Sequence, residues 1–170
     1  MNELNNSELL RAPNTVKTGG NMTKTIIVYG STTGSTLKLA ERIEDTLKIY
    51  NGDVERVEVT DIQPADLTAY DLIILGCSTW GEGELQEDFV FFEEEMEGLD
   101  LTGKLGACFG PGDSDYTLFC EAVNILEGRL DDCGAKIIAT GLKIDGDVDS
   151  QLKEAEKWAE KVFQSACKVP

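Results

Sequence analysis

Residues 24 to 36, Lys-Thr-Ile-Ile-Val-Tyr-Gly-Ser-Thr-Thr-Gly-Ser-Thr, pass from an apolar run straight into a short segment made almost wholly of hydroxyl residues and glycine. Their chemistry suits a phosphate. Gly30 and Gly34 permit tight backbone geometry, so successive N–H groups can converge on an anion, and Ser31, Thr32, Thr33, Ser35 and Thr36 add neutral hydroxyl donors. No lysine or arginine lies in the loop. A helix starting near Ser35 adds the positive end of its dipole, which favours a permanently held phosphate monoester over a nucleotide awaiting transfer. The pattern G-x-x-x-x-G-K-[ST] requires a lysine that Gly34-Ser35 lacks, and the dinucleotide pattern G-x-G-x-x-G is absent. Ordinary loops and helix N-caps use the same residue types, so the rest of the chain has to decide between the two.

Two further segments hold residues of interest, Ser78-Thr79-Trp80-Gly81-Glu82-Gly83 and Pro111-Gly112-Asp113-Ser114-Asp115-Tyr116. Each places one large aromatic among small and polar neighbours. Exposed aromatics at loop tips cost apolar area, but two of them can sandwich a flat heteroaromatic ring and recover that cost by stacking. A pair of hydrophobic lids is the plainer alternative.

The elements that must position these segments follow from periodicity. Residues 24–30 form a strand, and the next helix carries Leu37, Ala40, Ile43, Leu47 and Tyr50 on one stripe, stopping at Asn51-Gly52. Val54, Val57 and Val59 mark a short second strand, and Asp71 to Cys77 is a continuous apolar run of the kind found in a central parallel strand. Lys104 to Gly110 gives a fourth strand, about Thr117 to Cys133 a helix, and Ala135 to Thr140 a fifth strand. Leu152, Ala155, Ala159, Val162 and Ala166 recur at helical spacing in a last helix. Strands alternating with helices predict an α/β fold, a doubly wound five-stranded parallel sheet with right-handed crossovers and helices on both faces. In such a sheet ligands bind beyond the carboxyl ends of the strands at the switch point, where the loops after strands one, three and four converge. Residues 1–22 hold two acidic and two basic residues with little periodicity and are expected to be a flexible extension, or a product of start-site choice before Met22. A single domain then spans 23–170.

Bulk properties exclude several classes. The 170 residues hold 15 Lys plus Arg against 32 Asp plus Glu, a net charge of −17, which disfavours nucleic acid. There is no histidine, so the commonest general base and metal ligand are missing, and with them Ser-His-Asp hydrolysis, Cys-His proteolysis and most zinc chemistry. Cys77, Cys108, Cys120, Cys133 and Cys167 form no C-x-x-C pair, and several lie in apolar runs, as reduced core thiols of a cytoplasmic protein would. The longest apolar stretches are of strand length, and neither a membrane span nor a secretory leader is expected.

Taken together, the three loops resemble those of short-chain flavodoxins, similar to the kind known from sulfate-reducing bacteria; the resemblance covers residues 24–166 and implies a flavodoxin-like sheet with strand order 2-1-3-4-5. Tyr-Gly-Ser-Thr-Thr-Gly-Ser-Thr resembles that family's FMN phosphate loop, Gly-Cys-Ser-Thr-Trp-Gly its inner flavin loop, and Gly-Asp-Ser-Asp-Tyr its outer one. The resemblance implies that Ser31, Thr32, Thr33, Gly34, Ser35 and Thr36 bind phosphate. It implies that Trp80 covers the inner flavin face, that Tyr116 stacks on the outer face, and that Gly112 and Asp113 meet the pyrimidine edge. Ser78, Thr79, Pro111, Phe119 and Cys120 complete the implied cofactor-binding set. The Gly81 carbonyl is implied to turn toward flavin N5 in the semiquinone, a turn made cheapest by a residue without Cβ. Two features differ from the sulfate-reducer proteins: a shorter segment between Trp80 and Leu85, and Pro111 where a cysteine is common. Proline donates no backbone hydrogen bond, so donors to the flavin carbonyls must come from neighbours such as Gly112 or Asp113.

The implied function is that of a low-potential electron carrier with tightly, non-covalently held FMN, without catalytic residues or metal, shuttling mainly between semiquinone and hydroquinone. Glu82, Glu84, Glu87, Asp88, Glu93, Glu94, Glu95 and Glu97 are expected to surround the flavin edge and to steer the basic surfaces of redox partner proteins, reductases and electron acceptors, toward a monomer. An FMN-dependent reductase of the quinone reductase type is the alternative on the same fold. A phosphoacceptor signalling domain of the same topology needs an aspartate at the end of the third strand, where this chain has Gly76-Cys77-Ser78.

Overall fold

The computed structural model describes residues 23–170 apart from residue 51; the expected extension over 1–22 and the Asn51 stop lie outside the described residues. The first strand, β1 (Thr25–Gly30), leads into helix α1 (Ser35–Tyr50), and β2 (Val54–Glu58) follows. Two short helical segments, Val59–Asp61 and Pro64–Ala69, then lead to β3 (Leu72–Cys77). A small hairpin, β4 (Thr79–Trp80) and β5 (Glu84–Leu85), precedes α2 (Glu87–Glu95) and β6 (Leu105–Gly112). Helix α3 (Glu121–Asp132), the short strands β7 (Lys136–Ile137) and β8 (Leu142–Asp145), and helix α4 (Leu152–Ala166) complete the chain.

The main sheet is parallel throughout, in the order β2-β1-β3-β6-β7, with β8 also paired to β6. This is the expected 2-1-3-4-5 arrangement, its fifth strand delivered in two pieces. The strands β1 and β3 are buried along their whole length, which is why they read as unbroken apolar runs. Successive side chains serve opposite cores. Ile26, Val28, Ile73 and Leu75 pack with α2 and α3, whereas Ile27, Tyr29, Leu72 and Ile74 pack with α1 and α4. Phe109 is fully buried, and it has room only because Gly76 lacks a Cβ, which would lie 2.0 Å from the Phe109 ring.

Four local expectations need correction. The inward face of α1 is Thr36, Leu39, Ala40, Ile43, Thr46 and Leu47, while Tyr50 is exposed and stacks on Phe163 with ring centroids 5.2 Å apart. Thr46 can be buried because its hydroxyl donates to the Arg42 carbonyl at 2.8 Å. Val59 lies beyond β2, in a single-turn helix. The third helix starts at Glu121 rather than 117, because Cys120 holds a left-handed φ of 52° that no right-handed helix accepts. The fifth strand breaks after β7: two β6 residues, Ala107 and Cys108, face the four edge residues 138–141. At the break the Trp158 indole donates to the Thr140 carbonyl at 2.8 Å, and Gly141 is pressed so closely on α3 that a Cβ would sit 2.4 Å from Val123.

Candidate functional site

The loops after β1, β3 and β6 meet at the carboxyl end of the sheet around one cleft of about 550 Å³, within the size range of small-molecule sites. Thr33, Ser35, Ser78, Thr79, Trp80, Gly81, Pro111, Gly112, Asp113, Tyr116 and Cys120 line it, together with Leu118 and Gly146, which sequence reasoning missed. Ser31, Thr32, Gly34 and Thr36 stand in the same loop without lining the cleft. Phe119, included among the sequence candidates, is half-buried against the core and backs Gly112, whose Cβ would lie 3.3 Å from its ring.

The β1–α1 loop is built to end in donors. Gly34, at φ +92°, donates its N–H to Ser31 Oγ at 3.1 Å and offers its carbonyl to Lys38 N at 3.0 Å as the first bond of α1. The following N–H groups of the first helical turn have no partner inside the helix and face its N-terminal end, where the dipole is positive. Thr36 is buried in that turn.

The loop after β3 folds back as the β4–β5 hairpin. Its turn closes with the Gly83 N–H donating to the Trp80 carbonyl at 3.0 Å, and Gly81 takes φ +50° as the first central residue. The indole of Trp80 donates to Ser78 Oγ at 2.9 Å, which fixes the ring while leaving it 44 % exposed. In the loop after β6, Asp113 accepts the Asp115 N–H at 2.9 Å through its side chain and the Tyr116 N–H at 3.1 Å through its carbonyl. The Ser114 hydroxyl and N–H both donate to Asp145, at 2.5 and 2.9 Å, which ties the loop to β8 and holds the Asp145 carboxyl below its ordinary pKa. Tyr116 is 65 % exposed at the tip.

Beneath the cleft the backbones approach closely: a Cβ on Gly110 would lie 2.1 Å from the Cys77 carbonyl oxygen. The flanking thiols are neutral. Burial pushes Cys77 up to about 12, against a partly offsetting hydrogen bond from the Gln86 N–H, and burial pushes Cys120 up to about 11. Both stay protonated near neutral pH and donate to backbone carbonyls, Cys77 to Ser78 at 3.2 Å and Cys120 to Gly110 at 3.6 Å. No disulfide forms; Cys167 alone is exposed. Among the described residues there is no cluster of metal-ligating side chains, and no helix is long and apolar enough to cross a membrane.

Negative charge crowds one side. Glu82 and Glu84 stand on the hairpin, and Glu87, Asp88, Glu94, Glu95 and Glu97 are exposed on or just after α2. Glu93 differs from the expected set, because Arg129 pairs with it at 2.6 Å and neutralises it.

A family model described as flavodoxin matches residues 27–158. A flavodoxin of Maridesulfovibrio salexigens is 50 % identical over 140 residues, covering 81 % of this chain and 94 % of that protein. A flavodoxin of Nitratidesulfovibrio vulgaris is 41 % identical over 144 residues, covering 83 % and 97 % respectively. Oxidised flavodoxin 2 from Bacillus cereus superposes with a TM-score of 0.80 at 38 % identity, over 83 % of this chain and 98 % of that one. All three loops around the cleft fall inside the matched span, and the chain belongs to the flavodoxin family.

Proposed function

We propose that the chain, an FMN-binding electron carrier by its family, works at low potential as a monomeric one-electron shuttle between partners that present basic surfaces. Its cytoplasmic setting is read from five free thiols, which suit a reducing compartment. The observation that carries the proposal is the single cleft in which hydroxyl residues and a helix N-terminus stand at one part and two exposed aromatics, Trp80 and Tyr116, at another.

These residues fit FMN. Thr33 and Ser35, with the first turn of α1, would hold the phosphate as neutral donors reinforced by the helix dipole. Trp80 and Tyr116 would cover a flat ring and lose exposed apolar area in doing so. The segment from Gly112 to Asp113 would meet the polar ring edge, with Pro111 contributing shape and no donor. Bound FMN supplies the redox chemistry, taking up and releasing electrons one at a time.

The protein's task is to set energies. Glu82, Glu84 and the exposed carboxylates of α2 place negative potential around the site, which penalises added electron charge and lowers the potential. The same charges attract basic partners over long range. The test is a comparison of two assays on the FMN-loaded chain. Little steady-state oxidation of NADH or NADPH by a quinone, alongside efficient mediation between a flavoprotein reductase and a low-potential acceptor, is the expected pattern. Rapid quinone turnover without any protein partner would instead mark a reductase.

A further inference from the structure

Gln86, between β5 and α2, is 3 % exposed and the one amide among the buried polar residues described. Its Nε2 donates to Asp88 Oδ2 at 2.8 Å and, across 54 positions of sequence, to Thr32 Oγ1 at 3.3 Å. The buried Oε1 has no hydrogen-bond partner among the described residues. It lies over the end of β1, where a Cβ on Gly30 would come within 2.6 Å of it. The orientation of this amide follows from chemistry. An ionised carboxylate only accepts hydrogen bonds, so the NH2 and not the oxygen must face Asp88. The remaining Nε2 hydrogen is then directed at Thr32, whose oxygen becomes the acceptor. A hydroxyl has a single proton, so that of Thr32 is turned away from the amide and left to donate elsewhere.

We infer that Gln86 is a positioning residue for the phosphate of the cofactor: held by Asp88, it fixes the Thr32 hydroxyl as a donor to the anion. The inference rests on the FMN proposal above. Thr32 adjoins Thr33, which lines the cleft, and a donor whose own oxygen is already engaged binds an anion without first choosing its orientation. An amide that merely filled space would be a poor choice here, because its orphaned Oε1 costs stability that an apolar side chain of the same shape would not.

The experiment measures the affinity of the flavin-free chain for FMN and for riboflavin, which lacks the phosphate, in the wild type and in Gln86→Met. The variant should bind FMN about tenfold more weakly, the loss of one oriented bond to an anion, with riboflavin affinity unchanged and thermal stability equal or higher. An equal change for both ligands would make Gln86 purely structural, and no change for either would remove its role. Either result overturns the inference. If Gln86→Met does not fold, Asp88→Asn carries the same test: a selective loss of FMN affinity supports the inference, and its absence overturns it. Tight FMN binding by the wild type keeps the functional proposal whatever the variants do, whereas a wild type that binds neither flavin, or binds both equally, removes the phosphate site and the inference with it.

Discussion

Thr79 Oγ1 accepts the backbone N–H of Ala122 at 3.0 Å, so the hairpin that carries Trp80 supplies the side-chain cap that Cys120, the residue preceding α3, does not provide. One hydroxyl therefore joins the loop after β3 to the element that follows the loop after β6. The Tyr116 loop itself is held separately, by the bonds from Ser114 to Asp145.

Replacing Thr79 by valine keeps the shape and removes the acceptor. The flavin-free protein should lose about 1 kcal/mol, the usual worth of an N-cap, and Thr79→Ser should retain most of it. Thermal unfolding of the two variants side by side decides this; equal stability of valine and serine would show that the bond contributes nothing.

Gly81 takes φ +50° in the hairpin turn, and a Cβ there would lie 2.1 Å from Glu84 Oε2, the movable end of a flexible side chain. Alanine is therefore tolerated sterically but carries about 1–2 kcal/mol of left-handed strain, and it resists further turning of this peptide, which lines the cleft proposed to hold the flavin. The expected result of Gly81→Ala is a smaller maximum of half-reduced flavin during reductive titration, in a protein that still binds FMN. An undiminished maximum would assign redox tuning to other groups.

The sheet order and the three loops were legible because buried parallel strands write continuous apolar runs, and because loops at their carboxyl ends must converge. What stayed hidden depended on contacts distant in sequence. Gln86 reads as one more polar residue in an acidic stretch, and nothing local shows that it reaches Thr32. The fifth strand looks unbroken over Ala135–Thr140, since the Trp158 indole that draws off the Thr140 carbonyl lies in α4. Leu118 and Gly146 line the cleft without carrying chemistry of their own, so residue type gave no signal for either. Glu93 is indistinguishable by sequence from its acidic neighbours, and only the placement of Arg129 sets it apart.

The raised thiols give a pH signature. A group whose pKa is higher when folded stabilises the fold fully below its unfolded value, and that contribution is lost as pH rises through the folded one. Cys77 and Cys120, pushed from 9.0 to about 12 and about 11, should leave stability flat up to about pH 9 and erode it above. Denaturant unfolding at stepped pH measures the slope, and Cys77→Ala should reduce it. Alkylation of the native protein at pH 8 should label Cys167 alone, and modification of a second thiol would contradict the burial.

The exposed carboxylates make a kinetic prediction. Raising ionic strength from about 0.01 to 0.1 M shortens the screening length from about 30 to 10 Å, and electron transfer to a basic partner should slow severalfold. Replacing Glu87, Glu94 and Glu95 with glutamine should flatten this dependence, while the neutralised Glu93 should matter little. A rate indifferent to salt would remove the steering role.

The central claim is tested most directly by the visible absorption spectrum of the FMN-loaded protein followed through stepwise anaerobic reduction. The expected course is two separated one-electron steps, with a blue half-reduced flavin accumulating before the spectrum bleaches at low potential. Direct bleaching in a single two-electron step, or a protein that refuses added FMN, would contradict it.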